Sequence, residues 1–161
     1  GRGGRMTTPP LPRRLQGLLA LLPEAESVAD VAAGHGRLAV HLAARSRRVI
    51  ATEATDGPYA ELCRNLERWQ AEGRVEARRG NGLEPLAAGE VEGVVIAGLG
   101  ARRLTQIAAQ APGRGLRWVA LQCVQHPEEL AGWVRDAGWR VAVETVCEQR
   151  GRAYATWVLE V

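Results

Sequence analysis

The sequence has no lysine. All 21 of its basic residues are arginines, and against 18 acidic residues they give a net charge of +3. A guanidinium presents a rigid fork of N–H donors that fits a phosphate group. A positive charge of this size is compatible with a nucleic-acid partner but does not require one.

Long apolar runs are also missing. No run approaches the roughly 18–20 residues that a membrane span needs, and no apolar signal core follows the N-terminal arginines. We therefore expect a cytoplasmic protein with no membrane partner. The length of 161 residues suits one domain, predicted at 13–161 after a flexible lead-in at 1–12.

Cysteine is scarce. Cys63, Cys123 and Cys147 are far apart and form no Cys-x-x-Cys pair. This spacing does not supply the ligand set of a zinc site. We therefore predict reduced cysteines in the core and no metal site. Four of the tryptophans, Trp118, Trp133, Trp139 and Trp157, are also expected in the core.

Most of the chain alternates short apolar strands with helical stretches. A first helix is predicted at 13–22, where leucines recur at helical spacing before Pro23. Strands are predicted at 27–32, 48–52, 75–78, 93–97 and 117–122, with helices beginning near Gly36, Gly57, Arg102 and Pro127. This alternation predicts an α/β fold with a parallel sheet and helices on both faces.

The C-terminal part has a different pattern. Two strand-like runs at 140–147 and 153–161 are joined by residues 148–152, which predicts an antiparallel hairpin. A mostly parallel Rossmann-like sheet that ends in such a hairpin is typical of class I methyltransferases that use S-adenosylmethionine (SAM). Most nicotinamide-binding Rossmann domains lack this hairpin.

The loop after the first predicted strand points to the same ligand. Asp30 ends the strand, and Ala32, Gly34 and Gly36 follow before a helix. Small residues let the backbone approach a ligand, and the helix start adds N–H donors. The dinucleotide fingerprint instead begins its glycines directly after the strand. A carboxylate here suits the ammonium and sulfonium of SAM, whereas a plain strand-to-helix turn is the alternative interpretation.

Two further strand ends support a SAM site. Glu53 ends the second predicted strand, where an acid can accept both ribose hydroxyls. Asn81 and Gly82 follow the third strand, where a side-chain amide can read the adenine edge. A solvated acid and an ordinary turn are the alternatives for these positions.

The fourth strand runs into a glycine-rich turn. Ligands of open α/β sheets lie beyond the carboxyl ends of the strands, so Ala97 and Gly98 are expected beside the transferred methyl group. The Asn/Asp-Pro-Pro-aromatic tetrapeptide of many base-N-methyltransferases is missing here. Its absence argues against methylation of an exocyclic amine.

These features together resemble the bacterial tRNA (adenine-22-N1)-methyltransferase family. The matches run in order from about residue 13 to the C-terminus: Arg14-Leu15, Ala29-Asp-Val31, His35, Glu53 with Asp56-Gly-Pro58, Asn65, Arg79-Gly-Asn-Gly-Leu83, Ile96-Ala-Gly98, Leu121-Gln122, Gly138-Trp139, Glu144 and the closing Glu148, Gly151 and Tyr154. The resemblance implies SAM as the cofactor, tRNA as the partner and direct methyl transfer to N1 of an adenine.

The resemblance also implies roles for polar residues around the loop. His35 and Gln122 become the catalytic candidates, with a capping histidine and a solvated strand-end amide as the alternatives. Contacts to RNA phosphate are expected from four arginines, Arg14, Arg37, Arg102 and Arg103. Exposed arginines without a ligand are the alternative for each of them.

The sequence departs from the family pattern at several places. Gly34 stands where the family loop has a second acid, and Cys123-Val124 replaces Pro-Asn after Gln122. The coiled-coil domain that follows in the family has no counterpart in the 161 residues. A methyltransferase for a small molecule or protein, and a non-catalytic SAM-fold module, are therefore alternative hypotheses. The oligomeric state is left open, a homo-oligomer included.

Overall fold

Strands and helices alternate along residues 5–161, the part of the chain that this computed structural model describes. The elements are α1 (Arg13–Leu21), β1 (Ser27–Val31), α2 (Arg37–Ala43), β2 (Arg48–Glu53), α3 (Asp56–Arg68), β3 (Val75–Arg79), β4 (Gly93–Leu99), α4 (Ala101–Ala108), β5 (Trp118–Cys123), α5 (Pro127–Ala137), β6 (Arg140–Gln149) and β7 (Arg152–Glu160). All the predicted elements are present, with ends that differ by one or two residues.

The strands form one seven-stranded sheet in the order β3-β2-β1-β4-β5-β7-β6. The first five strands along the chain pair in parallel, whereas β7 is antiparallel to both β5 and β6. Between β1 and β4 the strand order reverses direction, which leaves a crevice at the carboxyl ends of these strands. The predicted fold class, a Rossmann-like methyltransferase sheet with a C-terminal hairpin, is confirmed.

The hairpin turn is tighter than the predicted connection at 148–152. Gln149 pairs directly with Arg152, so only Arg150 and Gly151 lie in the turn. Their φ angles are 52° and 76°, the left-handed values of a two-residue type I′ turn. Both strands are therefore extended toward the tip, and the tip stands near the start of α1.

The core lies on both faces of the sheet. Neighbouring residues of a strand point to opposite faces, so Val28 packs on the side of α1, α2 and α3, whereas Ala29 packs on the side of α4 and α5. Val95 and Ile96 of β4 alternate in the same way. Helices on both faces are thus confirmed. Because apolar packing covers both faces, the carboxyl ends of the strands are left as the place for a polar site.

The described part of the predicted lead-in is anchored. Residues 5–12 have no regular secondary structure, but Thr7 donates its N–H to the Trp69 carbonyl at 2.8 Å. Pro9 and Leu11 are buried, and the His41 ring lies 2.6 Å from the Pro9 carbonyl oxygen. The expected flexibility therefore does not describe residues 7–12, because apolar burial holds them against α2 and α3. Residues 1–4 lie outside the described chain.

The prediction of core positions fits the tryptophans better than the cysteines. Trp118 and Trp157 are buried, and Trp133 and Trp139 meet edge to face with centroids 5.4 Å apart. The cysteines are free, but Cys123 alone is buried, with Cys63 and Cys147 half-buried. The core prediction is wrong for Cys147 because it lies on the edge strand β6, which is largely uncovered.

Among the helices at 5–161, none is long and apolar enough to cross a membrane.

Candidate functional site

A cleft of about 610 Å³ opens where the carboxyl ends of β1, β2 and β4 meet. It lies at the crevice that the strand order creates. The predicted site residues that line it are Arg14, Asp30, Ala32, Gly34, His35, Arg37, Glu53, Gly82, Ala97, Gly98 and Arg103. Gly36, Asn81, Arg102 and Gln122 are not among the lining residues.

The loop after β1 is fixed by the end of β2. The N–H of Ala32 donates to the Thr52 hydroxyl at 3.3 Å, and the N–H of Ala33 donates to the Thr52 carbonyl at 2.9 Å. Ala32 takes a left-handed φ of 57°, which glycine adopts without strain and other residues do not. The loop resembles the acid-x-Gly-x-Gly-x-Gly motif of methyltransferases, in which a glycine stands at the position of Ala32, and this left-handed φ gives the physical reason for a glycine there. Thr52 was not among the residues predicted from the sequence, although a hydroxyl directly before Glu53 in a buried strand could have indicated it.

Gly36 serves packing rather than the cleft. It lies at the N-terminal end of α2 with a φ of 87°. A Cβ atom there would stand 2.7 Å from Cδ1 of Leu62 on α3. The glycine therefore lets α2 and α3 approach each other, and the structure does not support direct contact between Gly36 and a cofactor.

Asp30 is a buried acid with an unused oxygen. The residue is 3% exposed, and its Oδ2 atom is the one buried side-chain oxygen or nitrogen within 5–161 that lacks a hydrogen-bond partner. Burial, reinforced by the charge of Glu53, raises the pKa of Asp30 to about 7, although the N–H of Ala39 acts in the opposite direction. An unpartnered carboxyl at the wall of a cleft is suited to a cationic ligand.

Glu53 connects two loops of the cleft. Its Oε2 atom accepts the N–H of Gly34 at 2.7 Å, and its carbonyl accepts the N–H of Gly80 at 3.0 Å. The other carboxylate oxygen has no partner among the described residues. Gly34, which replaces a family acid, therefore contributes a backbone donor to Glu53, and a Cβ at Gly34 would meet open space.

The loop after β3 offers backbone rather than a side chain to the cleft. Gly80 and Gly82 line the cleft, whereas Asn81 between them is exposed and outside the lining. Gln110 holds the loop by accepting the Leu83 N–H at 2.7 Å. The prediction that the Asn81 amide reads adenine stays a prediction, and this arrangement does not support it.

Gln122 is buried within the fold. It has 0% exposure, and its Nε2 atom donates to the Arg14 carbonyl at 3.0 Å and to the Thr156 hydroxyl at 3.1 Å. Its Oε1 atom accepts from Nη1 of Arg14 at 2.9 Å. The alternative of a solvated amide is wrong. A direct contact between Gln122 and a target base has no support because both amide protons are already used.

Arg14 is held from three sides at the cleft wall. Besides Gln122, the Arg14 N–H donates to Oε1 of Gln149 at 2.8 Å, and the guanidinium lies 5.3 Å from the centroid of the Tyr154 ring. Its Nη2 atom would be 3.3 Å from a Cβ at Gly98, where β4 bulges with a φ of 79°. The left-handed φ favours glycine at this position, and a Cβ there would press on the end of the Arg14 side chain.

The remaining predicted side chains stand at the rim. His35 is exposed, and its Nδ1 atom is 2.8 Å from Oε1 of Glu61. Arg37 and Arg103 are exposed lining residues, whereas Arg102 is exposed outside the lining. The cleft therefore has acids at its base and guanidiniums around its opening.

After Gln122, the chain continues as Cys123-Val124 and has no side-chain amide where the family pattern has Pro-Asn. Cys123 is buried and donates its thiol to the Gln125 carbonyl at 2.8 Å. Burial raises the pKa of this thiol, so it stays protonated at neutral pH. Between residues 5 and 161 no three His, Cys, Asp or Glu side chains are grouped to hold a metal ion.

Comparisons with known proteins agree with this geometry. A family model described as a methyltransferase domain matches residues 11–156. The tRNA (adenine(22)-N(1))-methyltransferase of Bacillus subtilis is 27% identical over 154 residues, which are 93% of this chain and 65% of that protein. The chain thus spans about 65% of the length of this curated relative.

Two solved structures are similar over nearly the whole chain. The B. subtilis m1A22 tRNA methyltransferase TrmK superposes with a TM-score of 0.85 at 26% identity, covering 94% of this chain and 67% of that chain. Sp1610 of Streptococcus pneumoniae, solved in complex with SAM, gives a TM-score of 0.85 at 25% identity and covers 92% and 72%. The resemblance inferred from the motifs is confirmed. Because the match at 11–156 includes the cleft and most of the C-terminal hairpin, the chain belongs to the methyltransferase-domain family.

Proposed function

We propose that this protein is a SAM-dependent methyltransferase that methylates N1 of an adenine in tRNA. The observation that carries the proposal is the buried, unpartnered Oδ2 of Asp30 at the wall of a cleft at the sheet crossover. Support for the target comes from the similarity to the B. subtilis tRNA (adenine(22)-N(1))-methyltransferase.

The residues of the cleft fit SAM by charge and hydrogen bonding. Asp30 would pair with the ammonium group, which would supply the partner that Oδ2 lacks. The unpartnered oxygen of Glu53 would accept the ribose hydroxyls, and the backbone around Gly82 would face the adenine. SAM, when bound, supplies a methyl group on a positively charged sulfur.

Arg14 fits the negative end of the same ligand. Gln122 and Tyr154 hold its guanidinium inside the cleft, and no carboxylate among the described residues pairs with it. A preorganised guanidinium binds a carboxylate with little loss of side-chain freedom. We therefore assign Arg14 to the methionine carboxylate rather than to RNA phosphate.

The reaction requires the protein to align the adenine with the methyl group and does not require a strong base. The lone pair of adenine N1 attacks the methyl carbon in line, the N1–C bond forms as the S–C bond breaks, and the sulfur keeps the bonding pair. The product adenine carries a positive charge at N1. The Ala97–Gly98 backbone would limit the approach of the base, and His35 would be the uncharged ring at an opening that is otherwise surrounded by guanidiniums.

Substrate, location and domain organisation follow from this proposal. The target adenine would be extruded from the tRNA to reach the cleft. A tRNA substrate would place the protein in the cytoplasm. A single domain at 13–161 would carry both cofactor and base, because the lining residues come from α1 through α4.

Nucleoside mass spectrometry of unmodified tRNA incubated with the protein and SAM tests the proposal. We expect N1-methyladenosine with the native protein. Asp30→Asn and Glu53→Gln should reduce its formation at least about tenfold, since each loses a charge at the cofactor. Glu24→Gln is the control because Glu24 is exposed at the amino edge of the sheet.

The outcomes separate the two parts of the proposal. SAM binding without any methylated nucleoside would contradict the tRNA target and leave the cofactor assignment in place. Equal activity of Asp30→Asn and the native protein would contradict the assigned role of Asp30.

A further inference from the structure

A second cavity, of about 330 Å³, lies beside the cleft between the start of α2 and one face of α3. Glu61, Arg64, Asn65 and Arg68 line it from α3 at a spacing of three and four residues, which places them on one helix face. Trp69, half-buried at the end of α3, completes that side.

The charge of this cavity is strongly positive. Arg37, Arg64 and Arg68 contribute three guanidiniums, and Glu61 is the one carboxylate in the lining. Glu61 is already engaged, since its Oε1 atom lies 2.8 Å from Nδ1 of His35. With three guanidiniums and one carboxylate, the lining of this cavity carries more positive than negative charge, and this surplus is a large share of the net charge of +3 on the whole chain.

The three arginines have no partners within residues 5–161, and all three are exposed. Some arginines elsewhere are engaged, since Arg78 binds Glu90 through two hydrogen bonds of 2.7 and 2.6 Å and Arg79 pairs with Asp56 at 2.8 Å. The three unpaired arginines, in contrast, line one cavity together with a single carboxylate. A cluster of unpaired guanidiniums repels itself, so a polyanion that binds there would relieve the repulsion as well as supply acceptors.

The cavity has a rigid frame and a direct connection to the cleft. Asn65 is buried and donates to the His35 carbonyl at 3.0 Å, which ties α3 to the cofactor loop. Arg37 and His35 line both the cleft and this cavity. A strand of nucleic acid whose base enters the cleft would therefore carry its phosphates past this surface.

We propose that Arg37, Arg64 and Arg68, the α2–α3 arginine patch, bind the phosphate backbone of the RNA whose base is methylated in the adjoining cleft. The inference rests on the proposed function for the identity of the RNA. The patch sets the position of the strand, because phosphate contacts fix register without reading sequence. Of the four arginines predicted from the sequence to contact phosphate, Arg37 belongs to the patch, whereas Arg102 and Arg103 lie apart from it on α4.

The test compares two double variants of the full chain that change the net charge equally. Arg64→Gln with Arg68→Gln removes two members of the patch but leaves the cleft lining intact. Arg117→Gln with Arg135→Gln removes two exposed arginines outside both cavities. Fluorescence anisotropy measures binding of unmodified tRNA across a salt series, and calorimetry measures binding of SAM to each protein.

We expect the patch variant to bind tRNA about tenfold more weakly at low salt, with the slope of log K against log salt smaller by about 1.5. SAM affinity should be unchanged, and the control variant should bind tRNA like the native protein. Equal loss in the two double variants would overturn the proposal, because net charge would then explain the effect. Unchanged tRNA binding by the patch variant would overturn it as well.

Two further outcomes separate this inference from the proposed function. Native protein that makes N1-methyladenosine while the patch variant binds tRNA normally would leave the function standing and refute the patch. Native protein that binds no RNA would refute both. If the patch variant bound tRNA like the native protein but lost binding of inorganic phosphate measured by calorimetry, the cavity would be a free-anion site and the RNA proposal would be overturned.

Discussion

At the scale of single residues, the central feature is an acid held out of water without a partner. Asp30 is buried at the carboxyl end of β1, and Glu53 at the end of β2 adds a second negative charge nearby. Both effects favour the neutral form of Asp30, whereas a cationic ligand would favour the ionised form. Ligand binding and proton release are therefore coupled at this carboxyl group.

The first prediction concerns the affinity for SAM as a function of pH. Because the pKa of Asp30 is raised to about 7, binding of a cation must release its proton below that pH. We expect the dissociation constant to rise about tenfold for each pH unit below about 7, and to level off above it. Calorimetry from pH 5.5 to 8 measures this, and Asp30→Asn should give weaker binding with a flat profile.

The stability of the ligand-free protein should follow the opposite course. The folded state keeps the Asp30 proton up to about pH 7, whereas an unfolded chain releases it near the ordinary value of 3.8. Stability therefore declines as the pH rises from about 4 to 7. Asp30→Asn should remove this decline, and Glu24→Gln should preserve it. A pH-independent SAM affinity in the native protein would contradict the coupling.

At the scale of elements, α1 is attached to the sheet through polar groups as well as leucines. Gln122 on β5 binds both the carbonyl and the guanidinium of Arg14, and it also binds Thr156 on β7. Gln149 near the hairpin tip binds the Arg14 N–H. One helix is thus connected to two strands at the wall of the cleft.

Gln122→Leu should therefore destabilise the fold. The substitution leaves the buried Thr156 hydroxyl, the Arg14 carbonyl and Nη1 of Arg14 without their Gln122 partner. We expect this to lower the free energy of unfolding by about 2–4 kcal/mol. Urea denaturation measures this loss. Weaker SAM binding should accompany it, because Arg14 would no longer be held in place.

The matched control is Gln125→Leu, since the Gln125 side chain is exposed and makes no hydrogen bond to any residue between 5 and 161. It should change stability by less than about 0.5 kcal/mol. If Gln122→Leu kept full stability and SAM affinity but lost methyl transfer, Gln122 would be a catalytic residue and its assigned positioning role would be wrong.

At the scale of the whole molecule, the cleft is formed by loops from several strands that share one sheet edge. Hydrogen bonds connect these loops. Glu53, for example, accepts the N–H groups of both Gly34 and Gly80. A ligand that contacts all of them binds the folded chain and not the unfolded one. Its binding should therefore stabilise the molecule globally.

SAM at about 100 times its dissociation constant should stabilise the protein by about 2.7 kcal/mol. For a chain of this size, the melting temperature should rise by roughly 5–10 °C. Differential scanning fluorimetry measures the shift, with S-adenosylhomocysteine expected to stabilise and NAD as the control expected to have no effect. A shift with NAD and none with SAM would contradict the cofactor assignment.

The sequence by itself determined the fold class and the place of the cofactor loop. Periodicity of two and of 3.6 residues distinguishes strands from helices, and the carboxyl ends of parallel strands share one edge. Asp30, Glu53 and Gly98 could therefore be predicted at one cleft from local pattern. Even the strain at Ala32 corresponds to a motif position where glycine is the usual residue.

The tertiary structure alone decided which polar side chains face the cleft. Gln122 and Asn81 both follow or end strands, yet Gln122 is enclosed by α1 and β7, while Asn81 is exposed outside the lining. Arg64 and Arg68 form a cavity with Arg37 only because α3 packs beside the start of α2. These outcomes depend on contacts between residues far apart in the chain, which local periodicity and spacing do not encode.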